Sequence, residues 1–338
     1  MSRIILLGIF IILSLISIFV NKIKISKGLF WFVFLVLVSV VVGRPDTMAD
    51  YANYVSSYTL GSERFEPAYQ LMYAVLHGLT MPYIMFFLLM ACLTIGIKWY
   101  GIVKISDYPL LSLLVWASQV LIIQDMVAIR GALASSILLW IIWYKYLGET
   151  MKMWVGILVA ICCHYSALVF LIIPFLSSSK SKRWIYIAGL CIAAGGAFIG
   201  FSLTDFLGLI ALAAIENLSD MYGNQSEANA FNLVVIARCL ICLILWIKVD
   251  LLSSIKKSLP LYLKVYTLGC IFFFLTWKLV SVSFRLGELF WVTEIIIYPY
   301  LMYLFGKKYR KVYKIIPICI ATVLFFLNYN AVLYWNPE

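Results

Sequence analysis

The chain has 338 residues, of which 64% are hydrophobic and 12% charged, with a formal net charge of +11 and a mean hydropathy of +1.02. A soluble domain carries roughly a quarter charged residues and could not hide this much apolar surface from water. Composition therefore excludes a water-soluble globular protein, and with it the nucleic-acid partner that such a positive charge would otherwise suggest; the basic residues instead report sidedness in a membrane.

In chain order, apolar runs at 4–20, 28–43, 80–97, 109–123, 131–147, 184–203, 231–247, 259–277, 289–305 and 315–329 read as helices crossing a bilayer. Runs such as Ile4–Val20 and Leu29–Val42 are unbroken, which excludes the alternation of a barrel strand. The first run is followed by Lys22, Lys24 and Lys27 without a small-residue cleavage site, so it reads as a retained span rather than a signal peptide. A further apolar block, Met153–Leu176, is either one span or a hairpin of two short arms turning near His164. Charge favours the hairpin. With the N-terminus outside, the inner loops hold eighteen basic residues and the outer segments six (Arg3, Arg44, Arg64, Arg130, Lys278, Arg285) only if this block enters and leaves on one side. In that scheme Lys98 counts as an inner-loop charge and Asp125 as an outer one. Each hairpin arm then has about 12 residues, or ~18 Å at 1.5 Å per residue. That falls short of a ~30 Å hydrocarbon core, so the turn at His164 is expected inside the membrane depth, at the bottom of an outward-facing pocket.

The expected fold class is an all-α integral membrane protein, a polytopic helical bundle of about 11–12 transmembrane segments, with a re-entrant or broken helical hairpin around His164 and both termini outside. No internal repeat or linker is visible, so residues 1–338 read as a single polytopic domain with two long outer loops, 44–79 and 204–230. Each loop contains an apolar stretch too short to span, Tyr69–Leu79 and Phe206–Ile215, suited to lying on the membrane surface.

The inner loops are short and merely basic, and topology accounts for them. The outer basic residues oppose the positive-inside rule and need another reason. Arg130 and Arg285 lie at span boundaries; each either pairs with a nearby acid, Asp125 or Glu288, or presents its planar donor fork to phosphate oxygens. Arg238, inside a span, is a third cation, with pairing to a carboxylate such as Glu294 as its structural alternative. Taken with His164, the arginines point to a lipid diphosphate as ligand. The first outer loop supplies acids and tyrosines (Asp46, Asp50, Tyr51, Tyr54, Glu66) suited to sugar hydroxyls and ring faces; the alternative is an ordinary hydrated loop. All eight cysteines fall in apolar segments, and Cys239-x-x-Cys242, mid-span with no second pair, reads as helix packing. With two histidines, His77 and His164, and no metal-type spacing, neither a metal nor any other cofactor is expected.

The order Asp50-Tyr51-x-x-Tyr54, Glu66-Pro67, Ile129-Arg130-Gly131-Ala132-Leu133-Ala134, His164-Tyr165-Ser166-Ala167-Leu168, Phe284-Arg285-Leu286 resembles the EpsG-like family of bacterial polysaccharide polymerases, a branch of the Wzy-type O-antigen and capsule polymerases. One departure is Gly131, where the family more often has glutamine. The resemblance implies a GT-C-like glycosyltransferase of the bacterial inner membrane, acting on its periplasmic face and joining undecaprenyl-diphosphate-linked oligosaccharide repeat units, which serve as both donor and acceptor. A chain-length-determining co-polymerase is expected as partner by analogy. It assigns Asp50 as the first choice of catalytic base, with His164 as base or diphosphate donor. Arg130, Arg285 and Arg238 become diphosphate-binding residues, and Asp46, Tyr51, Tyr54, Glu66 and Glu288 sugar-binding ones. The alternatives are a lipid-linked oligosaccharide flippase, which would place polar residues through the midplane, and an O-antigen ligase, which differs only in acceptor. A membrane acyltransferase would need a thioester-carrier site on the inner face, and none is visible.

Overall fold

The structure is a computed structural model, described for residues 2–19, 27–48, 50–61, 66–180, 182–203, 229–306 and 308–333. Among these all regular structure is helical. The chain divides into two compact units, Met1–Pro174 with Glu294–Glu338, and Phe175–Thr293. The polar run Ser177–Arg183 closely follows the first boundary, whereas the second falls in apolar sequence.

The first unit begins with two apolar helices, α1 (Ser2–Phe19) and α2 (Lys27–Val42), followed by two loop helices, α3 (Tyr51–Leu60) and α4 (Pro67–Gly78). Then come α5 (Tyr83–Ile105), α6 (Pro109–Val115), which continues as a π-helix over Trp116–Asp125, α7 (Ile129–Leu147) and α8 (Thr150–Cys163). A 3₁₀ helix, Tyr165–Phe175, follows. Small residues let these helices approach, as expected where lipid gives no hydrophobic drive between them. A Cβ on Gly156 of α8 would stand 2.9 Å from Cγ1 of Ile141 on α7, and one on Gly101 of α5 would stand 3.3 Å from Nε1 of Trp140, whose indole donates to the Ile97 carbonyl at 3.2 Å.

The hairpin is present, with arms of unequal kind. His164 lies beside Gly131 at the start of α7, while Lys145 near its end donates to the carbonyl of Pro174 at 2.6 Å. Both arms therefore run the length of α7 in opposite directions. The first arm is α-helical over 14 residues and the second 3₁₀ over 11. At about 1.5 and 2.0 Å rise per residue both reach roughly 21–22 Å. This corrects the expectation of equal arms near 18 Å: the stretched 3₁₀ geometry lets fewer residues match the height. Pro174, inside the second arm, has no N–H to give an α-ladder.

A second correction concerns Lys98 and Asp125, which the charge count put on opposite sides. Lys98 lies within α5, and its Nζ meets Asp125 Oδ1 at 2.7 Å with both side chains fully buried. Trp116 Nε1 donates to Asp125 Oδ2 at 2.8 Å. These two charges form an internal pair and carry no information on sidedness. The other contacts agree with the count, since Arg44 reaches the Met126 carbonyl and Tyr300 donates to Asp107, each joining ends expected on one face.

The segment expected as one span at 289–305 is broken into the end of Val280–Trp291, a short helix Glu294–Ile297 and a 3₁₀ turn Tyr298–Tyr303. Pro299 removes the donor that a continuous helix would need. The last helix, Ile315–Leu333, packs on α1 and the π-helix, with Phe10 and Phe325 stacked at 4.0 Å and Asn328 donating to the Ser118 carbonyl at 3.5 Å. Among the described residues two helices, Tyr83–Ile105 and Arg310–Tyr329, are long and apolar enough to cross a membrane; other apolar helices, including α2 and α8, have 10–17 residues.

The second unit contains α9 (Arg183–Phe198), α10 (Leu233–Ile247), α11 (Val249–Ile255), α12 (Leu259–Leu275) and α13 (Val280–Trp291). Most of the loop 204–230, with Phe206–Ile215, lies outside the described residues. Cys242 of the Cys-x-x-Cys pair meets Thr267 Oγ1 of α12 at 3.2 Å, so the motif lies in a helix–helix contact. Lys180 and Arg183 both hold Asp250, at 2.6 and 3.1 Å, on the exposed end of this unit.

Candidate functional site

Three chain segments bring one polar cluster together in the first unit. Glu66 precedes Pro67, which suits the first turn of α4 because its missing N–H is not needed there. Arg130 is the second residue of α7. His164 is the single extended residue between the hairpin arms; its N–H donates to the Ala160 carbonyl at 2.9 Å and its carbonyl accepts from Ala167 at 2.8 Å. The break in the helix is thus fully hydrogen-bonded, as buried backbone must be.

Glu66 divides its oxygens between the other two. Oε2 meets Arg130 Nη1 at 2.6 Å and Oε1 meets His164 Nδ1 at 2.7 Å. The Tyr165 N–H also points at Oε1, at 3.4 Å. Glu66 is 3% exposed and His164 8%. Burial pushes the Glu66 carboxyl upward, but the His164 hydrogen bond and the Arg130 charge together overcome it and hold the group at about 2. A carboxylate can only accept, so Nδ1 of His164 carries a proton, and in the neutral tautomer Nε2 is the acceptor. The cluster therefore presents a histidine oriented by an ionised carboxylate beside an arginine. Arg130 also donates to Tyr54 of α3, whose ring lies 5.8 Å from its guanidinium carbon.

Glu66, which the sequence ranked among sugar contacts, thus joins Arg130 to His164, while Asp125, offered as an alternative partner of Arg130, belongs to Lys98. Asp50 stands one turn before Tyr54 and accepts from Asn53 at 3.4 Å. Its backbone is left-handed, with φ 64°, a conformation that aspartate tolerates better than most residues. Tyr51 hydrogen-bonds Tyr83, and Asp46 is exposed on the same side of α3.

One cation escaped the sequence reading as a site residue. Arg44 is 6% exposed, stacks over Phe87 at 4.5 Å and donates Nη1 to the Met126 carbonyl at 2.9 Å, five residues after which α7 has carried the chain past Arg130. Its Nε and Nη2 have no partner among the described residues. Burial draws its pKa down to about 10, against the pull of Tyr54, Tyr51 and Asp125, which leaves it cationic at neutral pH. The signal available in the sequence was its position, an arginine closing an apolar run on the outer side.

The second unit holds its own cluster. Arg238 on α10 is buried, its guanidinium 3.9 Å over the ring of Trp291. Arg285 and Glu288, three apart on α13, share a face, and Glu288 lies within electrostatic reach of both arginines. Trp291 is wedged between glycines: a Cβ on Gly269 would fall 2.9 Å from its ring, and one on Gly287 2.7 Å. Glu294, the carboxylate named as the structural alternative for Arg238, accepts from Tyr298 at 3.1 Å.

A sequence profile of the EpsG family matches residues 27–336, nearly the whole chain and every residue of both clusters. The chain belongs to the EpsG family. EpsG proteins are Wzy-like polysaccharide polymerases, so membership joins the apolar helices in making this a membrane protein of polysaccharide biosynthesis. Searches of curated proteins and of solved structures gave no match. The Arg130–Gly131 departure seen in the sequence has a local setting in this EpsG chain: a Cβ at Gly131 would lie 3.8 Å from His164 Cδ2, so residue 131 faces the histidine.

Proposed function

We propose that this protein is a metal-independent glycosyltransferase that polymerises undecaprenyl-diphosphate-linked oligosaccharides on the outer face of the bacterial inner membrane. The observation that carries this reading is the Glu66–His164 pair beside Arg130, on a family background of polysaccharide polymerases. An acceptor hydroxyl loses its proton to His164 Nε2 as its oxygen attacks the anomeric carbon of the donor. The bond from that carbon to the diphosphate oxygen breaks, and the lipid diphosphate leaves with the electron pair. Glu66, ionised and hydrogen-bonded at Nδ1, holds the ring in the reactive tautomer and offsets the imidazolium charge. Arg130 stabilises negative charge gathering on the leaving group. Tyr51 and Tyr54 are proposed as sugar contacts in the first unit; the second unit's own cluster is proposed to hold a diphosphate through Arg238 and Arg285, with Glu288 as a sugar contact there. Asp50 is the alternative base; His164 is preferred because Glu66 orients its ring, whereas Asp50 is held by a single exposed bond from Asn53 at 3.4 Å.

The test is the surface glycan of cells carrying His164→Ala or Arg130→Lys, with protein abundance checked by immunoblot. Lysine keeps the charge but not the fork. Each variant should leave single repeat units on the carrier; a full-length polymer ladder from both would sink the assignment. A flippase reading predicts instead that no unit reaches the surface at all.

A further inference from the structure

The helix α3 has two faces, and only one is accounted for by the cluster above. Tyr54 and Tyr58 are buried, Tyr54 against Arg130. Ala52, Val55, Ser56 and Thr59 fall roughly opposite at about 100° per residue. That second face lines a wide-open, shallow cleft of about 660 Å³, bordered also by Asp46, Thr47, Tyr51 and Tyr83. The volume lies in the ordinary range for a ligand site, roughly 300–1,000 Å³.

The lining has a definite chemical character. Tyr51 and Tyr83 are held as fixed panels by Phe87, which stacks on the first at 5.2 Å and meets the second edge-on at 6.1 Å. Phe87 is itself capped by the Arg44 guanidinium. Ser56 and Thr59 donate their hydroxyl protons to the Asn53 and Val55 carbonyls, at 3.1 Å each, so their oxygens remain as acceptors. Asp46 is an exposed carboxylate, and among the described residues no basic side chain lines the cleft. Aromatic panels with acceptor oxygens suit a hydroxyl-rich ring that donates hydrogen bonds, and the Asp46 carboxylate disfavours uronates.

We infer that this cleft is a distal glycan subsite, holding neutral or amino sugars of the lipid-linked saccharide beyond the ring that reacts. The inference rests on the proposed polymerase reading. A saccharide touching both the cleft and His164 must pass around α3, a body about 10 Å across, so the subsite engages an oligosaccharide rather than a single ring. Its effect is on how long a chain stays bound between additions. Release competes with extension, so weaker holding shortens the product without removing the base or the arginine.

The experiment compares polymer ladders from cells carrying Ser56→Trp, which fills the cleft from an exposed position, Tyr83→Ala, and His164→Ala, with protein abundance measured for each. Loss of one aromatic panel should lower occupancy about two- to tenfold, and the modal length should fall accordingly while linked repeats still form. Wild-type ladders from both cleft variants overturn the inference. So does a product of single units only, since a distal subsite is not needed for the first bond. Asp46→Asn, a near-isosteric change at an exposed side chain, gives the same readout if the bulkier variants do not accumulate. A normal ladder from His164→Ala would instead overturn the polymerase mechanism, which keeps the two failures apart.

Discussion

At the scale of single residues, Glu66 is the point on which the candidate site turns. Removing it leaves a half-buried guanidinium and a buried imidazole facing each other, and since breaking a fully buried pair costs about 3–5 kcal/mol, this partly exposed one should cost somewhat less. Glu66→Ala should therefore lower thermal stability in detergent by several degrees, as well as abolish polymer; an unchanged melting temperature would mean that the carboxylate is not holding the cluster. The pH dependence has a definite sign. The folded-state pKa, about 2, lies below the ordinary value of 4.5, so the stabilisation is complete above pH 4.5 and is lost as pH falls toward 2. At roughly 1.4 kcal/mol per unit it amounts to about 3 kcal/mol, and Glu66→Gln should flatten that acid limb of a stability–pH profile. The Lys98–Asp125 pair obeys the same logic. Lys98→Met alone should destabilise by about 3–5 kcal/mol, whereas Lys98→Met with Asp125→Leu should recover much of the loss, because no uncompensated charge remains. A double variant as unstable as the single one would contradict this.

At the scale of elements, the hairpin is the piece that carries His164 to Arg130, and Gly156 sets how closely its first arm lies on α7. An alanine there would meet Cγ1 of Ile141 at 2.9 Å, an inner atom of a stiff, fully buried β-branched side chain, so the two helices must part slightly and Gly156→Ala should cost about 1–3 kcal/mol and lower polymer. Gly156→Leu is larger still and should push α8 outward, moving His164 and losing polymer while protein still accumulates; retained polymer would show that the contact does not position the histidine. The hairpin was legible in the sequence because the arginine and lysine loops could be kept on one side only if 153–176 doubled back. The unequal geometry of its arms was not, since a 3₁₀ helix and an α-helix present the same apolar composition. Lys98 was misread for a related reason. Hydropathy ended its span at residue 97, and only the contact with Asp125 reveals that the helix continues to Ile105 with the charge inside it. Glu66 was underrated because its two partners lie 64 and 98 residues away, a separation no local pattern encodes.

At the scale of the molecule, the two units each carry arginine beside carboxylate, and within each unit the contacts join loop ends that the charge count assigned to one face. The outward direction of the Glu66 cluster is a prediction with a direct measurement. Alkaline phosphatase fused after Gly61 should be active, as only the exported enzyme is, and a fusion after Ser179 should be inactive; the reverse pattern would put the cluster on the cytoplasmic side and rule out a periplasmic polymerase. The family and the helical class were readable from composition and the His164 and Arg130 blocks. The division into units was not, because the polar run Ser177–Arg183 after the first crossing reads as an ordinary inner loop and the second crossing, at Thr293, lies inside apolar sequence.

The sharing of one carboxylate between Arg130 and His164 also sets an order on biogenesis. Translation delivers Glu66 first, Arg130 next and His164 last, so Glu66 waits on a hydrated loop while about a hundred further residues are made and inserted. Its charge is comfortable there, and its burial becomes favourable only when the hairpin arrives with the second partner. The nascent protein therefore has no assembled Glu66–Arg130–His164 cluster until the hairpin is in place.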